Sequence, residues 1–230
     1  MSGRAGFSVA RLSRRGAAYY WRSYVHVLLA AATTTAVVVG ALLVGDSMRG
    51  SLVARVEERL GGIDVAVRSS TFFRGELAAA LGRTPGIRRS VGAIVISGSA
   101  TAADSGRLAG GVRVVGVPEE FPELWPEGPA RAGWARGTPR GRTAVIHRSV
   151  ADDLGVAAGG DILVRFERAA DISSEYAFGR RGERAPALRL EVSSVLPDAG
   201  PALFDLDRSQ RTPRNVFIPL DLLSRTLEKP

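Results

Sequence analysis

The sequence predicts an α+β protein: one N-terminal transmembrane helix with a helical stalk, followed by a β-rich extracytoplasmic domain with short helices. Three observations carry this. Ser23 to Gly45 is a 23-residue stretch with no formal charge. Five arginines and no acid precede it. Beyond residue 60, short β-branched runs alternate with Gly, Pro, Asp and Ser clusters, as strands and turns do.

Residues 1–22 form a basic segment carrying Arg4, Arg11, Arg14, Arg15 and Arg22. Phe7, Val9, Ala10 and Leu12 among these arginines suggest a short helix lying on a membrane surface. Tyr24 to Val44 would rise about 31 Å as an α-helix, close to one hydrocarbon thickness. Tyr19, Tyr20, Trp21 and Tyr24 cluster at one end, where amphipathic rings favour the headgroup layer. A signal peptide has a shorter apolar core of about 7–15 residues, so the run at 23–45 reads as an uncleaved anchor. Arginine-rich short flanks stay cytoplasmic. The N-terminus is therefore expected inside the cell membrane and residues 46–230 outside, with a single crossing. His26 and Thr33-Thr34-Thr35 are the polar groups of the span; threonine hydroxyls bond back one turn and need no functional role.

Gly45-Asp46-Ser47 ends the apolar run. Residues 46–60 read as a stalk helix, with Leu52, Val53, Val56 and Leu60 on one stripe and Gly61-Gly62 as its stop. Residues 63–68 alternate as a strand would, and 73–81 predict a helix. Two longer β runs, 91–101 and 108–117, join across Asp104-Ser105-Gly106 as a hairpin. Residues 118–142 read as a long loop in which Trp125 and Trp134 anchor onto the domain or, as the alternative, form an exposed aromatic recognition surface. Then come a strand at 143–146, a helix at 149–154 capped by Ser149 and closed by Gly155, and strands at 161–166, 188–196 and 215–218. A helix at 220–227 follows, and 168–186 and 197–213 are expected to be loops.

Composition narrows the chemistry. With no cysteine, neither a disulfide nor a thiolate site exists. The net charge of +8 divides into +5 before residue 23 and +3 over the remainder, with acids and bases interspersed there. That pattern does not make the basic face a nucleic-acid surface needs, and no nucleic-acid partner is expected. Two histidines are too few for a zinc site. Gly110-Gly111 and Gly159-Gly160 lack the lysine and serine of a phosphate loop and the spacing of a dinucleotide fingerprint. His147, Ser149 and Asp152 lie near one another in sequence, but at a strand-to-helix turn such residues rarely converge as a triad. No cofactor, metal site or catalytic residue is assigned, and the chain reads as non-enzymatic.

Four phrases, in order, carry a resemblance. They are GALLVGDSMRGSL at 40–52, VRVVGVPEEF at 112–121, SVADDLGVAAGGDILVR at 149–165 and RNVFIPLDLL at 214–223. Together with a basic start, one span and a stalk, they resemble the first part of a MacB/FtsX-type ABC transporter permease. The positions carrying it are Gly45, Asp46, Ser47, Gly116, Val117, Leu154, Gly155, Gly160, Asp161, Pro219 and Leu220. The resemblance implies that residues 61–230 are a MacB-like periplasmic core domain. It also implies a cytoplasmic ABC ATPase as partner, a homodimer or related permease subunit beside it, and lipoprotein, peptide or amphipathic cargo. Such permeases have further spanning helices, whereas no second apolar run of 18 residues occurs here. The domain is accordingly expected to be incomplete at residue 230, the chain being the N-terminal part of a permease; the alternative is a single-pass anchored binding or assembly module without transport activity.

Overall fold

A computed structural model describes residues 9–69, 74–128, 131, 134, 138–166, 187–207 and 211–228. The chain divides into two compact units, residues 1–54 and 55–230.

Helix α1 spans Val9–Tyr19 and α2 spans Trp21–Leu60, 40 residues that take in both the expected span and the expected stalk. Neither helix buries a residue. Two threonine hydroxyls of the span bond back within the helix: Thr33 Oγ1 donates to the Leu29 carbonyl (2.8 Å) and Thr34 Oγ1 to the Ala30 carbonyl (2.9 Å). His26 Nδ1 lies 2.5 Å from the Arg22 carbonyl. Gly61 stops α2 in the left-handed region, φ +58°, which costs a glycine little.

The second unit is built on a closed six-stranded barrel. Its strands are β1 (Ile94–Ala102), β2 (Leu108–Val117), β3 (Thr143–His147), β4 (Asp161–Phe166), β5 (Ala187–Leu196) and β6 (Asn215–Pro219), ordered β1-β2-β6-β3-β5-β4. β1 pairs antiparallel with both β2 and β4, which closes the ring. β2–β6 and β3–β5 are parallel, and β3–β6 and β4–β5 antiparallel. A Cβ at Gly98 would collide with the Arg165 carbonyl oxygen, so glycine lets β1 approach β4 at the seam. The register between β1 and β2 shifts just beyond it, between Gly98 and Ala100.

Alternation along the strands sends two sets of side chains to opposite faces. One set fills the barrel: Val112 and Val114 with Ile146, Val164, Leu190, Val192 and Val216, joined by Val150 and Leu154 of α4 (Arg148–Leu154) and Leu223 of α5 (Leu220–Glu228). The other forms an aromatic layer outside it: Val115, Val117, Val145 and Phe217 with Phe121, Trp125, Trp134 and Phe204. Trp134 is fully buried, its ring 4.6 Å from Phe217. Both tryptophans are thus anchors, and residues 121–124 of the expected loop form a 3-10 turn beneath them.

Some sequence expectations are corrected. Residues 63–68 are not a strand; Val65 and Val67 are 81% and 66% exposed, and the closed barrel leaves no edge to pair with. The helix expected at 73–81 is α3, Glu76–Gly82; Phe73 lies outside the described residues. The cap of α4 is His147, not Ser149. Residues 200–203 of the expected 197–213 loop form a 3-10 turn. The loop expected at 168–186 lies outside the described residues, as does much of 131–142.

Candidate functional site

Three places deserve weighing: the exposed apolar helix, the junction where α2 meets the barrel, and the His147 cluster. In α2, Val27, Leu28, Leu29, Val37, Val38, Val39, Leu42, Leu43 and Val44 are each roughly half to two-thirds exposed. It is the one described helix long and apolar enough to cross a membrane.

The junction lies within the second unit. Trp125 Nε1 donates to the Glu58 carbonyl (3.1 Å), a helix C-terminal carbonyl that would otherwise lack a partner. The Gly62 amide donates to the Leu124 carbonyl (2.6 Å). The Trp125 ring lies so close over Gly61 that a Cβ there would sit 2.6 Å from Cδ1. Trp125 is itself wedged against Phe121 (5.3 Å) and Phe204 (6.1 Å). Backbone and indole together therefore clamp the last turn of α2 to the aromatic layer. An open groove of about 620 Å³ runs beside the clamp, lined by Glu57, Glu58, Asp64, Trp125 and Glu127 among others. No group of three or more His, Asp or Glu side chains poised for a metal occurs among the described residues.

His147 is fully buried at the end of β3. Its Nδ1 accepts from the Ser149 amide (3.2 Å) and stands 2.8 Å from Ser149 Oγ, which assigns the ring proton to Nε2. That Nε2 lies 3.0 Å from Asp198 Oδ1, but its N–H is not aimed along a hydrogen bond. Burial lowers the His147 pKa, opposed by the charges of Asp198 and then Asp152, so the ring is neutral at pH 7. Serine, histidine and aspartate do converge, with Asp198 rather than Asp152 as the acid. The base is nevertheless engaged as a helix cap.

The positions carrying the family resemblance do not gather at one site; most of those in the barrel domain are places where the fold is tight. Gly45, Asp46 and Ser47 lie on exposed α2, the Ser47 carbonyl accepting from Ser51 Oγ (2.9 Å). A Cβ at Gly116 would sit 2.7 Å from Leu223 Cδ2, so glycine there admits α5 against β2, and Val117 is buried beside it. Leu154 is fully buried and Gly155 ends α4 at φ +67°. A Cβ at Gly160 would meet Val156 Cγ1 at 2.6 Å. Asp161 opens β4 and pairs with Arg189 (2.6 Å). Pro219 ends β6 and Leu220 begins α5.

No family model matches the chain, and no curated protein does. A solved structure is similar in outline. It is the periplasmic region of MacB from Actinobacillus actinomycetemcomitans, with a TM-score of 0.38 and 9% identity over 66% of this chain and 57% of that one. The chain thus spans little more than half the length of that structure, and a likeness of this extent carries no argument about activity.

The clamp and the His147 cap escaped the sequence reading. Trp125 and Gly61 are 64 positions apart, and they meet only in the folded domain. The His-x-Ser spacing at a predicted helix start was the available signal for the cap.

Proposed function

We propose that this chain is a membrane permease subunit, or the N-terminal part of one, in an ABC transporter. A separate cytoplasmic ATPase hydrolyses ATP, and the barrel domain handles lipoprotein, peptide or amphipathic cargo outside the membrane. The observation that carries the reading is the exposed apolar face of α2. Leaving nine large aliphatic side chains in water forfeits about 1.5–3 kcal/mol for each one fully buried. Even at the half to two-thirds exposure seen here, the total is on the order of 10 kcal/mol, which lipid recovers and no other described element does. The asymmetry of arginines supports an inside N-terminus. The four phrases support the resemblance to the permease family, and their order supports the transporter context.

In this proposal the chain is non-enzymatic. His147 and Ser149 hold a helix start, and the clamp at Gly61 and Trp125 gives the end of α2 a stiff attachment to the barrel. Affinity capture of the tagged protein from its native membranes tests the reading. Recovery of an ATP-binding-cassette subunit in near-stoichiometric amount is expected. Capture without any such subunit would leave the single-pass binding module instead.

A further inference from the structure

Helix α1 has a built-in asymmetry that the span does not require. At 100° per residue, Val9, Leu12, Gly16 and Tyr19 follow one another at intervals of three and four and share one side. Arg11, Arg14 and Arg15 fall together within roughly a 100° arc on another. Val9, Leu12 and Tyr19 are 80%, 66% and 80% exposed. The first turn carries no acid. Three arginines at i, i+3 and i+4 repel one another, and Arg11 lies in the first turn, where a helix disfavours positive charge. An 11-residue helix of this kind is marginal in water. Next in sequence come Tyr20, Trp21 and Tyr24, all more than half exposed, with Tyr19 and Tyr20 edge to face at 4.8 Å and the Arg22 guanidinium 5.9 Å from the Trp21 ring. A membrane span therefore begins within a few residues of an apolar stripe flanked by uncompensated positive charge.

We propose that α1 is an interfacial helix that docks on anionic phospholipid headgroups. Val9, Leu12 and Tyr19 enter the acyl boundary, and Arg11, Arg14 and Arg15 engage lipid phosphates. The proposal rests on the reading of α2 as membrane-spanning. Charge complementarity selects the partner: phosphate relieves the repulsion among the arginines and supplies the negative charge that the helix start lacks. Each arginine near an anionic surface is worth roughly a fivefold shift in the docked equilibrium, so the three together are worth about a hundredfold.

The absence of native cysteine permits a direct test on the whole chain. Leu12→Cys and, separately, Leu29→Cys carry an environment-sensitive fluorophore, reconstituted in vesicles of phosphatidylcholine alone or with phosphatidylglycerol. The expected result is a Leu12→Cys label shielded from the neutral aqueous quencher acrylamide in the anionic vesicles, exposed in the zwitterionic ones, and released by high salt. Combining it with Arg11→Gln, Arg14→Gln and Arg15→Gln abolishes the shielding. The Leu29→Cys label is shielded in both lipids. Equal Leu12→Cys accessibility in the two lipids, with Leu29→Cys shielded, overturns the docking proposal and leaves the span standing. An accessible Leu29→Cys label removes the span itself.

Discussion

Replacing Gly61 by alanine probes the clamp that fixes the end of α2 to the barrel. Two costs add. Gly61 sits at φ +58°, where a Cβ costs about 1 kcal/mol relative to glycine. The new methyl would also lie 2.6–2.8 Å from three atoms of the Trp125 ring. That ring has little freedom to yield, being 4% exposed and held by Phe121, Phe204 and the Glu58 carbonyl. Overpacking of this kind costs about 1–3 kcal/mol, for a total of about 2–4 kcal/mol. At roughly 2–4 °C per kcal/mol for a domain of this size, thermal unfolding shifts by about 5–15 °C. Gly106→Ala is the internal control. Gly106 has φ +69° and nothing within 4 Å of its would-be Cβ, so it incurs only the conformational cost of about 1 kcal/mol. Both variants, measured by near-ultraviolet circular dichroism of the whole chain in detergent, separate the two contributions. Adding Trp125→Ala to Gly61→Ala should recover the steric part, so the double variant costs less than the sum of the singles. Equal shifts for Gly61→Ala and Gly106→Ala would refute the clamp.

Other consequences are open to similar measurement. Trp134→Ala empties the centre of the aromatic layer and should cost about 3–5 kcal/mol, read as a lowered urea midpoint. Asn215→Ala strands the Ala202 and Phe204 carbonyls that its Nδ2 now serves at 2.9 and 2.8 Å; a loss of about 2–4 kcal/mol is expected. Because burial holds the His147 pKa below the ordinary histidine value, the unfolded chain binds more protons than the native one as acid is added. This contribution to stability is full above the unfolded-state pKa and is lost progressively as pH falls from there through the lower native-state pKa. The urea midpoint should drop between pH 7.5 and 5.5, and His147→Asn, which keeps a capping acceptor, should flatten the change; a midpoint that rises on acidification contradicts the buried neutral ring. Ser149→Ala should change stability by no more than about 1 kcal/mol, since the cap uses the Ser149 amide rather than its hydroxyl.

Local signals made most elements legible. The hairpin was marked by Asp104-Ser105-Gly106, and the ends of α2 and α4 by Gly61 and Gly155, because these turns are decided by a few neighbouring residues. Closure of the barrel was not visible, because it depends on β1 meeting β4 some 60 residues away, and no periodicity encodes that pairing. The same non-locality explains the false strand at 63–68. Val65 and Val67 alternate as strand residues do, but alternation signals a strand only where a partner exists. The charge asymmetry around the span needed no tertiary information. The clamp, in contrast, required three distant segments to meet.

Side-specific cysteine labelling tests the central claim most directly. Ser13→Cys on α1 and Asp104→Cys at the hairpin tip are both exposed positions in a chain with no other cysteine. Intact spheroplasts treated with a membrane-impermeant maleimide should label Asp104→Cys at once and Ser13→Cys only after permeabilisation. Labelling of both without permeabilisation, or of Ser13→Cys alone, would contradict a helix that crosses the membrane with its arginine-rich end inside and the barrel outside.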